Sequence, residues 1–217
     1  MALHTGLEID SNVDQYTSLF ESIAQDIADN GYSIKPNALP IELAKKLSAR
    51  SQAISDTHFK AAGIGRSSEL MLNNEIRSDE ICWIVGDSDL GASWFDWVEG
   101  LKQYVNRTLF LGLDEFESHF AHYSEGDFYQ KHKDAFHGES NRILTLVAYL
   151  NEDWSEDCGG ELLVYPDDSD EVIAKVIPHF GTIVVFMSEE FPHEVLPAKC
   201  DRYSIATWFR RKSDQLS

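Results

Sequence analysis

From Glu117 to Phe209 the chain is a train of short apolar runs broken by turn residues: SHFAHYSEGDFYQKH, RILTLVAYLN, GGELLVYP, VIAKVIP, GTIVVFM, PHEVLP and RYSIATWF. The runs recur about every ten residues, which is the spacing of an all-β sandwich or barrel. No helical period separates them, so a parallel sheet wound through crossover helices is not expected. A jelly roll is the architecture that fits.

Upstream the period changes. Val13, Tyr16, Leu19, Phe20, Ile23 and Ile27 recur at helical spacing, and Gly31 stops that helix. Tyr32 to Ile34 reads as a short strand. Pro40 opens a second helix to about Ser51, because a first-turn N–H has no helical partner to lose. Trp94, Val98, Leu101 and Val105 mark a third helix that ends near Gly112, after a strand at Ile81 to Ile84. Residues 56–80, with the stretch GIGRSS, carry no period and are expected to form a mobile surface loop. The expected class is mainly β with N-terminal helices (α+β). One domain spans 1–217, with 1–115 as helical support and substrate loop and 116–211 as the jelly-roll core.

Charge and cysteine usage narrow the function. Against 37 acidic residues stand 18 basic ones, a formal net charge of −19. Such a surface repels phosphate backbones and anionic lipid, so neither nucleic acid nor membrane is an expected partner. No apolar run approaches the roughly 20 residues that cross a bilayer, and Met1 to Ser11 lack a signal-peptide pattern. Cys82, Cys158 and Cys200 are odd in number and form no CxxC pair. No disulfide framework is expected, and a cytoplasmic location follows.

The candidate chemistry begins at His132-Lys133-Asp134. On a strand His132 and Asp134 face one way and Lys133 the other. His-x-Asp alone is common. His193, in Phe191-Pro192-His193-Glu194-Val195 after an apolar strand and a turn, adds the third group. Two imidazoles and one carboxylate leave half of an octahedron open, the ligand set of non-haem Fe(II) oxygenases. A structural zinc would ask for four closed ligands, usually with cysteine. Arg202, nine residues past His193, shares a strand face with Ser204, Ala206 and Trp208. Its guanidinium suits the distal carboxylate of a dicarboxylate that chelates the metal at its other end. Tyr149, on the face of Ile143, Thr145 and Val147, is placed to donate to the same carboxylate. Tyr123 and Tyr129 flank the approach to His132.

From Ile76 to Arg210 the sequence resembles the prolyl hydroxylases that sense oxygen in animals, and their bacterial counterparts. The resemblance is carried by Ile76-Arg77-Ser78-Asp79-Glu80-Ile81-Cys82-Trp83-Ile84 and by Tyr123 and Tyr129 before His132-Lys133-Asp134. It continues in Tyr149-Leu150-Asn151-Glu152-Asp153-Trp154, Gly159-Gly160-Glu161-Leu162, Pro192-His193-Glu194-Val195 and Arg202-Tyr203-Ser204-Ile205-Ala206-Thr207-Trp208. It implies a double-stranded β-helix with Fe(II) on His132, Asp134 and His193, and 2-oxoglutarate on Arg202 and Tyr149. Tyr123, Thr145 and Trp208 complete the expected co-substrate wall. O2 is the second co-substrate and ascorbate an auxiliary reductant. Arg77 and Asp79, in a mobile loop, would grip a peptide together with Tyr129. The implied reaction is 4-hydroxylation of a prolyl residue in a cytosolic protein, a translation factor among the candidates, by a monomeric enzyme. Three alternatives stand beside it: a demethylase of alkylated nucleic acid, a small-molecule hydroxylase and a non-catalytic jelly-roll binding module. The demethylase pattern fits Arg202 to Arg210 poorly.

Overall fold

The computed structural model describes residues 11–54, 59–62, 76–135 and 141–212. The elements are α1 (Ser11–Asn30), β1 (Tyr32–Lys35), α2 (Ile41–Ala53), β2 (Lys60–Ala61), β3 (Glu80–Trp83), α3 (Asp89–Leu109), β4 (Glu115–Tyr123), β5 (Tyr129–His132), β6 (Arg142–Tyr149), β7 (Leu162–Val164), β8 (Ala174–Val176), β9 (Ile183–Met187), β10 (His193–Val195) and β11 (Arg202–Arg210). The strands form two sheets among the described residues. The larger has the order β1-β9-β6-β11-β4-β3-β2 and the smaller β5-β10-β7-β8. Every strand pairing is antiparallel. This is the jelly roll expected from the spacing of the apolar runs. The N-terminal part contributes more than helices, because β1, β2 and β3 extend the larger sheet.

Strand periodicity decides which side chains meet the helices and which meet the pocket. On β6, Leu144, Leu146 and Ala148 are fully buried in one cluster with Ile205 and Phe209 of β11 and with Phe20, Ile23, Trp94, Val98 and Leu101 of the helices. The alternate residues of β6 turn toward the smaller sheet, where Tyr149, Tyr123, Leu162, Val164, Phe186 and Val195 form a second cluster. Burying one such side chain stabilises the fold by about 1.5–3 kcal/mol. Helix and sheet are also pinned by polar contacts: Trp94 Nε1 donates to Ser118 Oγ at 3.1 Å, and that hydroxyl lies 2.7 Å from Thr207 Oγ1.

The helix ends follow the sequence. Gly31 adopts φ +79° and donates its N–H to Ile27 O, closing α1. Ser88 caps α3 by accepting from Gly91 N at 3.1 Å. Among the described residues no helix is long and apolar enough to cross a membrane.

Two expectations change. Within residues 56–80, Phe59 and Ala62 are buried, β2 pairs with β3, and β3 pairs with β4. These ends are built into the sheet, and the rest of the expected loop lies outside the described residues. Second, Cys158 and Cys200 form a disulfide with Cα atoms 5.2 Å apart, while Cys82 is free. The pairing arises because the turn after the 3-10 segment Glu156–Cys158 packs on the chain leading into β11. There Lys199 N donates to Cys158 O at 2.8 Å and Gly160 N to Pro197 O at 3.2 Å. No local spacing encodes that adjacency, so counting cysteines misses it. The count therefore gives no support to a reducing compartment.

Candidate metal centre

His132 ends β5, and His193 opens β10 directly opposite it in register. Asp134 is not on the strand as expected but in a bend just beyond it. The bend still returns its carboxylate to the two rings: Asp134 Oδ1 lies 3.7 Å from His132 Nε2, and Oδ2 lies 3.7 Å from His193 Nε2. One donor atom from each of the three falls within 4.8 Å of the others, so the cluster could hold a metal ion. Lys133 points away and pairs with Asp167.

Both imidazoles are oriented by the backbone. His132 Nδ1 is 2.7 Å from Gln130 O, and His193 Nδ1 is 3.0 Å from Phe191 O. An N–H on each Nδ1 leaves the Nε2 lone pairs for a common cation. Burial, and then the neighbouring His132, push the His193 ring down to about 4, so it is the neutral, ligating form at pH 7. Burial alone would raise the Asp134 carboxyl. The facing His193 and His132 rings and the Thr145 hydroxyl outweigh it and hold Asp134 well below the usual carboxylate range. The donor set is two nitrogens and one oxygen, with no cysteine, which suits an open ferrous site rather than a closed zinc site.

The co-substrate residues separate into distinct positions. Arg202 is 2% exposed, yet among the described residues it forms no salt bridge. Its Nε donates to Gly160 O at 2.9 Å and NH1 to Ser204 Oγ at 3.4 Å. Its guanidinium lies 4.8 Å from the Tyr123 ring centre and 5.0 Å from that of Tyr149. Gly160 has to be glycine here: φ is +64°, and a Cβ would stand 2.9 Å from Arg202 Cδ. The Tyr149 hydroxyl is enclosed without a partner at hydrogen-bonding geometry. A buried cation with no anion among the described residues, interacting with the nearby Tyr149 hydroxyl, fits a carboxylate ligand.

Thr145, expected on the co-substrate wall, lines the same pocket and also donates to Asp134 Oδ2 at 2.7 Å, lying 2.9 Å from Ser188 Oγ. It steadies the carboxylate. Trp208 lines the same pocket at the far end of β11, with Arg142 3.7 Å over its ring. Tyr129 stacks on His132 at 3.5 Å. Arg77 and Asp79 do not stand in an open loop. They form a buried bidentate pair at 2.7 and 2.6 Å on the pocket wall, with Arg77 4.3 Å over Tyr129.

Sequence reading missed four contributors: His119, Arg142, Ser188 and Trp83. His119 was within reach of the period-2 rule, being four residues before Tyr123 on β4 and so on its face. Arg142 and Ser188 act across strands that only the fold brings together. Trp83 stands within the motif at residues 76–84, where no sequence signal distinguishes it as a pocket contributor. A wider groove of about 700 Å³ lies between the helices, lined by Tyr16, Phe20, Ile41 and Trp97. It is remote from the metal-ligating cluster.

The comparisons with known proteins agree with this geometry. Residues 118–210 match the model of the 2OG-Fe(II) oxygenase superfamily. The chain is similar to a Pseudomonas putida prolyl-4-hydroxylase of known structure, with 35% identity, TM-score 0.80, and 89% of this chain and 100% of that one covered. It is also similar to a Trichoplax adhaerens prolyl hydroxylase solved in complex with a hypoxia inducible factor oxygen degradation domain peptide fragment. There identity is 26% and TM-score 0.79, with 94% of each chain covered. Mouse Egl nine homolog 1 is 27% identical over 199 residues, which is 87% of this chain and 49% of that protein. The chain thus spans about half the length of the curated relatives it matches first.

Proposed function

Because the chain belongs to the Fe(II)- and 2-oxoglutarate-dependent prolyl hydroxylase family, we propose that it hydroxylates the 4-position of a prolyl residue in another protein. His132, Asp134 and His193 are the iron ligands in this reading, and Arg202 with Tyr149 receives the far carboxylate of 2-oxoglutarate. The observation that carries it is the three-donor cluster sharing one pocket with a buried guanidinium that has no anion among the described residues.

When bound, the iron supplies the redox chemistry by which O2 oxidises 2-oxoglutarate to succinate and CO2 and converts a C–H bond to C–OH. The chain's own part is geometric. The carbonyls of Gln130 and Phe191 fix the two imidazoles, and Thr145 fixes the carboxylate. Arg202, held by Gly160 O and Ser204, orients the co-substrate tail and so sets which end reaches the ligand cluster. The rings of Tyr123, Tyr129, Tyr149 and Trp208 line the pocket and limit its water.

Within the same reading the enzyme acts as a cytoplasmic monomer on a protein target, a translation factor being the first candidate, and uses neither nucleic acid nor membrane. The test is aerobic incubation with Fe(II), 2-oxoglutarate and proline-bearing proteins and peptides, followed by mass spectrometry. A gain of roughly 16 Da, one oxygen atom, localised to a proline and matched by succinate, is the expected outcome. Succinate formed only with small molecules, or no oxygen gained by any protein or peptide, would refute the proposal.

A further inference from the structure

The pocket holds a ring nitrogen that the chemistry above leaves unused. His119 stands on β4 in register with Ala206 of β11 on one side and Trp83 of β3 on the other. It faces the pocket with Ala121 and Tyr123. Its ring lies 5.2 Å from Trp83 and 4.9 Å from Trp208, and the residue is 2% exposed. Among the described residues its buried Nδ1 has no hydrogen-bond partner, and the same is true of the adjacent Trp208 Nε1. The two unmet nitrogens thus belong to neighbouring rings, and both residues line the reaction pocket. Burial, and then the charge of Arg77, keep the His119 ring neutral at pH 7, so it carries one N–H and one lone pair.

Buried polar atoms in a folded protein are almost always satisfied, and an exception in a pocket points to a ligand. The indole N–H can only donate. A prolyl residue matches that polarity, because its nitrogen carries no hydrogen and the main chain at that residue offers carbonyl acceptors only. A wall that presents donors and no backbone acceptor would favour an X–Pro segment over a residue whose N–H also needs a partner. We propose that His119 is a specificity-determining residue whose Nδ1–H donates to a main-chain carbonyl flanking the target proline, while Trp83 and Trp208 hold the ring in place from either side. This deepens the prolyl reading and rests on it.

The experiment compares the wild type with His119→Phe, which keeps a ring without a donor, and His119→Asn, whose amide nitrogen can stand where Nδ1 was. Each is assayed for kcat and KM on a prolyl peptide and on two thioamide forms, in which the carbonyl before or after the proline becomes a weaker acceptor. His119→Phe is expected to lose roughly 10-fold in kcat/KM, the scale of one hydrogen bond, mostly through KM, with His119→Asn recovering most of it. One thioamide should cost the wild type a comparable factor and cost His119→Phe nothing further. An unchanged kcat/KM in His119→Phe, or thioamides that affect both enzymes equally, would overturn the proposal. If His119→Phe does not fold, a wild type indifferent to both thioamides overturns it equally. A wild type that forms no hydroxyproline from any peptide refutes the prolyl reading itself, and the product-mass assay separates the two failures.

Discussion

At Arg202 β11 begins in a closed corner; at Trp208, six residues on and roughly 20 Å away along an extended strand, it ends in a stack of rings. The corner is tied to the backbone as well as to side chains. Gly160 O and Ser204 fix the guanidinium, and the Cys158–Cys200 disulfide lies two residues from each of Gly160 and Arg202. The other end is made by side chains: Trp83, His119, Trp208 and Arg142 lean on one another, and two of their nitrogens are unmet. A small co-substrate of constant shape suits a rigid corner whose entropy cost is met on folding. A peptide suits a wall of rings that keeps donors available. The ligand cluster lies on the smaller sheet, which the larger sheet faces from both of these positions.

Removing a ligand strikes both ends at once. His193→Ala should lower prolyl hydroxylation by at least about 10³-fold, since the metal carries the chemistry. It should also abolish Fe(II) binding measured by anaerobic titration. Arg202→Met separates the ends. It should raise the KM for 2-oxoglutarate by roughly 100-fold, the cost of truncating one partner of a buried charge pair, and leave the KM for peptide within a few-fold of wild type. Equal effects on both constants would mean that the pocket does not divide as drawn.

The sequence made some of this legible and hid the rest for physical reasons. The strand period defines the faces of β6 and β11, and Tyr149, Arg202 and Trp208 do share the pocket. It could not separate the ends of β11, because a face is a direction and not a depth. Trp208 and Thr145 line the pocket with Arg202 and Tyr149, yet one also stands among the rings and the other also holds Asp134, a difference of depth that the period does not carry. His-x-Asp found its carboxylate for an imperfect reason, since a bend and not strand alternation returns Asp134 to His132. The disulfide was invisible because 42 residues separate its cysteines and only tertiary packing joins them.

That disulfide offers a sharper test of the closed corner. Cross-linking stabilises mainly by restricting the unfolded chain, so Cys158→Ser with Cys200→Ser should cost about 2–4 kcal/mol in denaturant unfolding. The corner retains Lys199 N to Cys158 O and Gly160 N to Pro197 O. The KM for 2-oxoglutarate should therefore rise only several-fold, far less than in Arg202→Met, since one typical hydrogen bond is the most that would loosen. The KM for peptide should not move. A loss of peptide binding instead would tie the two ends together mechanically.

Acid should distinguish the ends most finely. Arg202 stays charged at every workable pH, but His119 titrates. Its folded ring is held near 4 by burial, against 6.5 for the ordinary side chain. At neutral pH both folded and unfolded forms are uncharged and the difference is silent. Below about 6.5 the unfolded chain takes up a proton that the folded ring refuses, so stability falls as pH falls, until the folded ring itself protonates near 4. Between pH 7 and pH 5 this amounts to about 2 kcal/mol at most, at 1.36 kcal/mol per pH unit. Carboxylates elsewhere titrate over part of the same range, so the quantity to compare is the change in metal-free stability of wild type against His119→Phe. The variant should lose up to about 2 kcal/mol less over that interval, whereas Arg202→Met should follow the wild-type slope. If all three proteins lose stability alike, His119 is not shielded in the way that its place between two indoles requires, and the ring-lined end is wetter than the corner.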